Sequence, residues 1–221
     1  MNLANTVHSS METNPKITAV VMAAGASSRM GEHKLLLELN GESLVRRVVR
    51  QILKTVGFFE VLVVTGREPE NIQAALTGLN VRFVQNDAYL EGIGTSFRAA
   101  VNVLEPDTDG AMFALADQVF VTSDLYKTLL ETFVASDLEQ PRIVAAQYPT
   151  DDGLVIAPPH IFHRSFFELI GTHGHGAKPL IEKHKNITTL LEFPESALFD
   201  IDEPSDLEKA RLMLNGLNLK K

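Results

Sequence analysis

Residues 17–34 read ITAVVMAAGASSRMGEHK. An apolar, β-branched run ends in Ala23-Ala24-Gly25, and a loop of small residues follows that carries two cations, Arg29 and Lys34. Short side chains let the backbone N–H groups of such a loop approach an anion closely, and nearby cations neutralise it. A strand running into a Gly/Ser loop is how α/β proteins hold phosphates. With Arg29 and Lys34 inside the loop itself, the stretch suits a triphosphate whose pyrophosphate must leave.

Two better-known phosphate loops do not fit. The Walker A pattern needs Gly, four residues, then Gly-Lys-Ser/Thr. Here five residues separate Gly25 from Gly31, and Lys34 comes three positions later. The Gly-x-Gly-x-x-Gly dinucleotide fingerprint is also absent, which disfavours a Rossmann oxidoreductase.

Working outward, the 221 residues are 45% hydrophobic and 22% charged, enough apolar material for a packed core in one large α/β domain. Apolar β-type runs at 17–22, 60–65, 81–85, 111–115, 142–147, 154–157 and 187–191 alternate with helical patterns at 43–56, 69–77, 96–104, 123–136, 159–170 and 203–215. That alternation predicts βαβ units, a Rossmann-like, mostly parallel sheet with helices on both faces, and a single domain. Pro69 and Pro204 suit first-turn positions, Thr122 or Ser123 can cap a helix, and Gly216 is expected to end the last one. The stretch 137–141 is expected to be a loop rather than a domain break. Residues 1–16 are polar, lack the pattern of a signal peptide, and are expected to form a flexible tail ahead of a domain at 17–221.

The net charge of −8 argues against a nucleic-acid partner and leaves local cations to capture an anionic nucleotide. With no cysteine, thiolate metal sites and disulfides are excluded, and a cytoplasmic location is compatible. No apolar run is long enough to span a membrane.

Three further constellations carry candidate chemistry. In 111–118, AMFALADQ, an apolar strand ends abruptly in Asp117. At the carboxyl edge of a parallel sheet this hard oxygen donor can hold Mg2+ against nucleotide phosphates, or cap the following helix. In 199–207, FDIDEPSDL, acidic residues decorate a helix start, where negative charge is favourable. In 86–98, Asn86 precedes a Gly92-Ile93-Gly94-Thr95-Ser96 segment whose backbone and hydroxyl donors open a helix. Five histidines, 160, 163, 173, 175 and 184, crowd a short region, but without a zinc spacing such as HExxH. A substrate-facing role fits them better than metal ligation.

The string A-A-G-x-S-S-R-M-G-x-x-K closely resembles the opening motif of the molybdenum-cofactor nucleotidyltransferases, within the wider nucleotide-diphospho-sugar-transferase type. The resemblance covers nearly all of 17–214. It implies that Ala23, Ala24, Gly25, Ser27, Arg29 and Lys34 bind the nucleotide, with Asn86, Gly94 and Ser96 at base and ribose. It places Asp117 and Asp202 on Mg2+, with Asp200 as the fallback, and makes Arg29, Lys34 and Asp117 the catalytic set. Val119 stands where the family usually has proline, which is expected to loosen that loop.

The segment 174–180, GHGAKPL, resembles G-D-x-G-A-R-x-L, with the Asp missing and Lys178 in place of Arg. His175 and Lys178 are thus substrate-side candidates. Together with the poorly matched stretch near Gly153, they leave the acceptor open. The Ala-Ala-Gly form resembles the cytidylyltransferases of the family. It implies transfer of CMP from CTP to molybdopterin, giving the cytosine dinucleotide for a molybdenum hydroxylase apoenzyme. The alternatives are a related transferase acting on a sugar or alcohol phosphate and a non-catalytic cofactor chaperone.

Overall fold

The structure, a computed structural model, describes residues 14–25, 33–135, 137–171, 176–201 and 203–218. The opening stretch forms β1 (Ile17–Ala23), in which every residue is buried. Ile17, Ala19, Val21 and Ala23 face one core while Val20, Met22 and Ala24 face the other. Burial on both faces is why the run is continuously apolar rather than alternating.

After the loop come β2 (Glu38–Leu39), β3 (Glu42–Ser43), α1 (Leu44–Lys54), β4 (Glu60–Thr65), α2 (Pro69–Ala75), β5 (Arg82–Gln85) and α3 (Ile93–Val101). The chain continues through β6 (Gly110–Leu115), α4 (Ser123–Val134), β7 (Ile143–Thr150), β8 (Gly153–His163), α5 (Lys178–Lys183), β9 (Thr188–Glu192) and α6 (Pro204–Asn218). Seven strands make one sheet in the order β5-β4-β1-β6-β8-β7-β9, with β8 antiparallel to its neighbours. Helices α1, α2, α4 and α6 cover one face and α3 and α5 the other. The expected α/β class, mostly parallel sheet and helices on both faces are all present.

The chain lays β4 and β5 on one side of β1, then returns to place β6 on the other. The strand order therefore reverses between β1 and β6, and the gap beyond their carboxyl ends is where open α/β sheets bind ligands.

Three expectations need correction. The helix expected at 159–170 is instead the second half of β8 followed by a 3-10 turn, Arg164–Phe166. Ile161 and Phe162 face opposite cores, so the segment fills a central strand position. Pro158 and Pro159, joined by a cis peptide, sit where the β7–β8 register shifts between Ala145 and Gln147, so their missing N–H groups interrupt no regular ladder. Gly216 does not end the last helix, which runs on to Asn218. The β2–β3 hairpin, absent from the expectation above, turns on Asn40-Gly41, both at positive φ (55° and 79°), the strongest short hairpin signal. Pro69 and Pro204 open their helices as expected, and Thr122 Oγ1 accepts from Leu125 N at 3.4 Å to cap α4. Among the described residues no helix is long and apolar enough to cross a membrane.

Candidate active site

The reversal point holds a cavity of about 370 Å³ lined by Met22, Ala24, Gly25, Lys34, Leu35, Tyr89, Ile93, Ser96, Leu115 and Asp117. Parallel pairing aligns Met22 with Leu115, so the two strands deliver Ala24 and Asp117 to the same edge. Ala116 N donates to Met22 O at 3.3 Å and holds the strands together one residue past the sheet.

Lys34 is the first residue of a 3-10 turn, Lys34–Leu36, anchored by the buried Leu35. Its ammonium lies 2.8 Å from Asp117 Oδ2, with the two side chains 14% and 20% exposed. Such partial burial leaves both groups open to a ligand while shielding them from full solvent screening. The pair joins residues 83 positions apart in a chain of net charge −8, so it is a local cation–anion element set by the fold.

Of the two alanines, only Ala24 lines the cavity; Ala23 is fully buried towards the other core. A Cβ on Gly25 would meet no described atom within 4 Å, so packing does not demand glycine there, and the residue leaves room at the mouth. Gly66, which the sequence reading did not single out, shapes one wall. A Cβ there would lie 2.8 Å from Ala24 O and 2.9 Å from Tyr89 Cβ. Only glycine lets the end of β4 close against Ala24 and Tyr89, and the clue in the sequence was a Gly directly following a strand.

Ser96 lines the cavity, but Asn86 and Gly94 do not. Asn86 is buried; its Nδ2 donates to Thr95 Oγ1 and Ser96 Oγ, both at 2.9 Å, and its Oδ1 accepts from Ala88 N at 3.1 Å. It braces the start of α3 and so positions Ser96. Gly94 is buried in the first turn of α3, where its carbonyl would be 2.3 Å from a Cβ on Gly171. Gly171, at φ +76°, is thus the other half of a close backbone approach.

The Asp117 loop carries its own hydrogen bonds around Val119. Val119 N donates to Asp117 O at 2.9 Å, Val121 N to Gln118 O at 3.2 Å, and Arg47 Nε to Val119 O at 3.3 Å. Val119 itself is buried.

Ser27, Arg29, His175 and Asp202 lie outside the described residues. Lys178, exposed at the start of α5, is not part of the cavity wall. A Cβ on Gly176 would come 3.7 Å from Ile93 Cγ2, so the chain just before α5 borders the cavity rim. Asp200 lies near Tyr148, whose phenol is raised by burial first and by the Asp200 charge second.

The described histidines do not meet at the cavity. His160 is fully buried and burial lowers its pKa to about 3; His163 is lowered in the same direction, also chiefly by burial. His163 Nε2 donates to Leu138 O at 3.0 Å and Nδ1 accepts from Ser165 N at 3.2 Å, while the His184 ring packs 5.1 Å from that of Phe166. Among the described residues no three His, Asp or Glu are grouped to hold a metal ion. Asp117 alone still fits a hard cation, since Mg2+ is commonly held by one or two carboxylates together with waters and substrate phosphates.

A sequence model of the MobA-like NTP transferase domain matches residues 19–187. A probable molybdenum cofactor guanylyltransferase of Pelotomaculum thermopropionicum is 29% identical over 209 residues, covering 89% of this chain and 92% of that protein. A nucleotidyl transferase from Methanothermobacter superposes with a TM-score of 0.75 at 26% identity, over 91% of this chain and 99% of that one. The Rv0371c protein of Mycobacterium tuberculosis, solved in complex with manganese, gives 0.71 at 21% identity, over 89% and 98%.

Proposed function

The chain belongs to the MobA-like NTP transferase family, and from that premise we propose that it transfers CMP from CTP to a molybdopterin-type acceptor, releasing pyrophosphate. The observation that carries this reading is the Lys34–Asp117 pair at 2.8 Å, in a cavity lined by Ala24 and Gly25 where the strand order reverses.

In the proposed reaction a phosphate oxygen of the acceptor bonds to the α-phosphorus of the triphosphate, and the bond from that phosphorus to the pyrophosphate oxygen breaks. No protein nucleophile takes part. The barrier lies in bringing two polyanions together and in the charge that develops on the leaving pyrophosphate. Asp117, with Asp202 by its place in the sequence, would hold Mg2+, which when bound neutralises phosphate oxygens. Lys34 exchanges its carboxylate partner for the phosphates. Arg29 adds a second cation from the same loop, and the Gly25 backbone and Ser96 hydroxyl supply neutral donors. The role of Asn86 is to orient Ser96 rather than to touch the base.

Ala24 supports CTP over GTP, because it lines the cavity together with Tyr89, with Gly66 packed against both, and a β-carbon there narrows the space for a purine. The Pelotomaculum relative's name supports the second reading, GTP. The departures at 148–185 keep a sugar or alcohol phosphate as the second choice of acceptor. A chaperone without chemistry is disfavoured by the Lys34–Asp117 pair being formed. Delivery of the product to a molybdenum hydroxylase apoenzyme would follow from the first reading.

The test is pyrophosphate release with Mg2+ and molybdenum-loaded molybdopterin, comparing CTP, GTP, ATP and UTP. Release with CTP well above the others is the expected result, and faster release with GTP would overturn the base assignment. Nucleotide binding without release would redirect the search to another acceptor phosphate.

A further inference from the structure

The residue before Lys34 is the buried histidine His33, 7% exposed, whose Nε2 lies 3.2 Å from the backbone oxygen of Arg67. That contact joins two loops which leave the sheet at neighbouring carboxyl ends, one after β1 and one after β4. At the Gly25 end the phosphate loop continues directly from β1, so its origin is fixed by the sheet. At the other end it enters a 3-10 turn, closed by Leu36 N donating to His33 O at 2.8 Å and Leu37 N donating to Lys34 O at 3.1 Å. Leu35 anchors that turn in the core, and His33 ties down the chain where it enters it.

The Arg67 side of the contact has its own local bonds. Gly66 is wedged against Ala24 O and Tyr89. Glu68 holds a left-handed conformation at φ 51°, and its carboxylate accepts from Arg67 Nε at 3.0 Å and from Asn71 Nδ2 at 2.9 Å. A lysine side chain has four flexible methylenes, so its reach is set by where its backbone is held.

We propose that His33 is a positioning residue: by donating its Nε2–H to the Arg67 carbonyl, it pins the end of the phosphate loop to the β4–α2 turn and thereby places Lys34 against Asp117 and the phosphates. The imidazole ties the residue before Lys34 to the turn that follows Gly66. The functional consequence rests on the nucleotidyltransferase reading, but the placement of Lys34 does not.

The experiment separates the two. Lys34 Nζ is observed by NMR in the unliganded protein, assigned by its loss in Lys34→Ala, and followed in His33→Ala, His33→Asn and His33→Gln. Glutamine carries an amide donor near the Nε2 position, and asparagine falls one carbon short. The Lys34 signal should move to that of a solvent-exposed lysine in the Ala and Asn variants and stay at the wild-type position in Gln. Turnover should follow the same order, with kcat about tenfold lower in His33→Ala and largely recovered in His33→Gln, the scale expected for losing one orienting hydrogen bond. A Lys34 signal unchanged in His33→Ala, or displaced equally in Ala and Gln, would overturn the positioning role. Wild type that neither binds nor turns over any nucleotide would count against the nucleotidyltransferase reading alone, because the lysine signal still decides the role of His33.

Discussion

The two halves of the sheet use their polar residues differently. On the β1–β4–β6 side, the polar groups past the strand ends face a cavity: Lys34, Asp117 and Ser96 line it, and Asn86 and His33 brace the residues that do. On the β7–β8–β9 side, the buried polar side chains His160, His163 and Tyr148 are spent on the fold. His163 bonds to Leu138 and Ser165, the Tyr148 hydroxyl donates to Pro158 O at 2.6 Å, and His160 sits neutral in the core. A cluster of histidines in sequence is therefore no evidence of a site. What matters is whether the backbone carries the side chains to an open strand end, and antiparallel β8 carries His160 and His163 away from it.

The largest test of this contrast is removal of the ion pair. Lys34→Ala or Asp117→Ala should lower turnover by about a hundredfold or more, the usual cost of losing one preorganised charge partner. Steady-state pyrophosphate release measures it, and near-normal rates would erase the distinction between the halves. Next is Gly66→Ala, whose new methyl would press on a backbone oxygen as well as on Tyr89. It should destabilise the protein by about 1–3 kcal/mol by thermal or denaturant unfolding and weaken nucleotide binding, since overpacking against backbone is poorly relieved.

Ala24→Gly should shift the GTP-to-CTP ratio of kcat/KM upward by up to about tenfold, within the range one methylene's worth of space allows. No shift would mean the base lies elsewhere. On the other side of the sheet, Lys178→Ala should raise the acceptor KM only a few fold with kcat nearly unchanged, as for a rim charge. A large loss in kcat would bring the second half into the chemistry.

The effect farthest from the cavity is on stability against pH. His160 has an ordinary pKa of 6.5 in the unfolded chain and about 3 when folded, so between those values the unfolded state binds the extra proton. Stability is then greatest above about pH 6.5 and falls as pH drops towards 3, with His163 adding in the same direction. His160→Leu should flatten the acid side of the melting-temperature profile, and an unchanged slope would show that other groups dominate it.

Much of the site was legible because its residues adjoin strand ends. The loop after β1 announces itself by composition, and Asp117 by a carboxylate breaking an apolar run. The second half was harder to read. A stretch such as Pro158–His163 has no clear period, and two prolines ahead of an apolar pair look like a helix start until β6 and β7 close on both sides. Gly66 and His33 were missed because each acts through a contact with a distant backbone atom, which no local pattern records.

The sequence by itself determined the α/β alternation, the apolar central strands and the anion-binding character of the first loop. These follow from periodicity and side-chain chemistry, which are properties of neighbouring residues. Only the tertiary structure decided that Lys34 meets Asp117, that Ala24 rather than Ala23 faces the cavity, and that the histidines of β8 are buried. Those outcomes depend on strand order, register and direction. They are set by how the whole sheet packs between its two helical layers, where a shift of one residue turns a side chain from one face to the other.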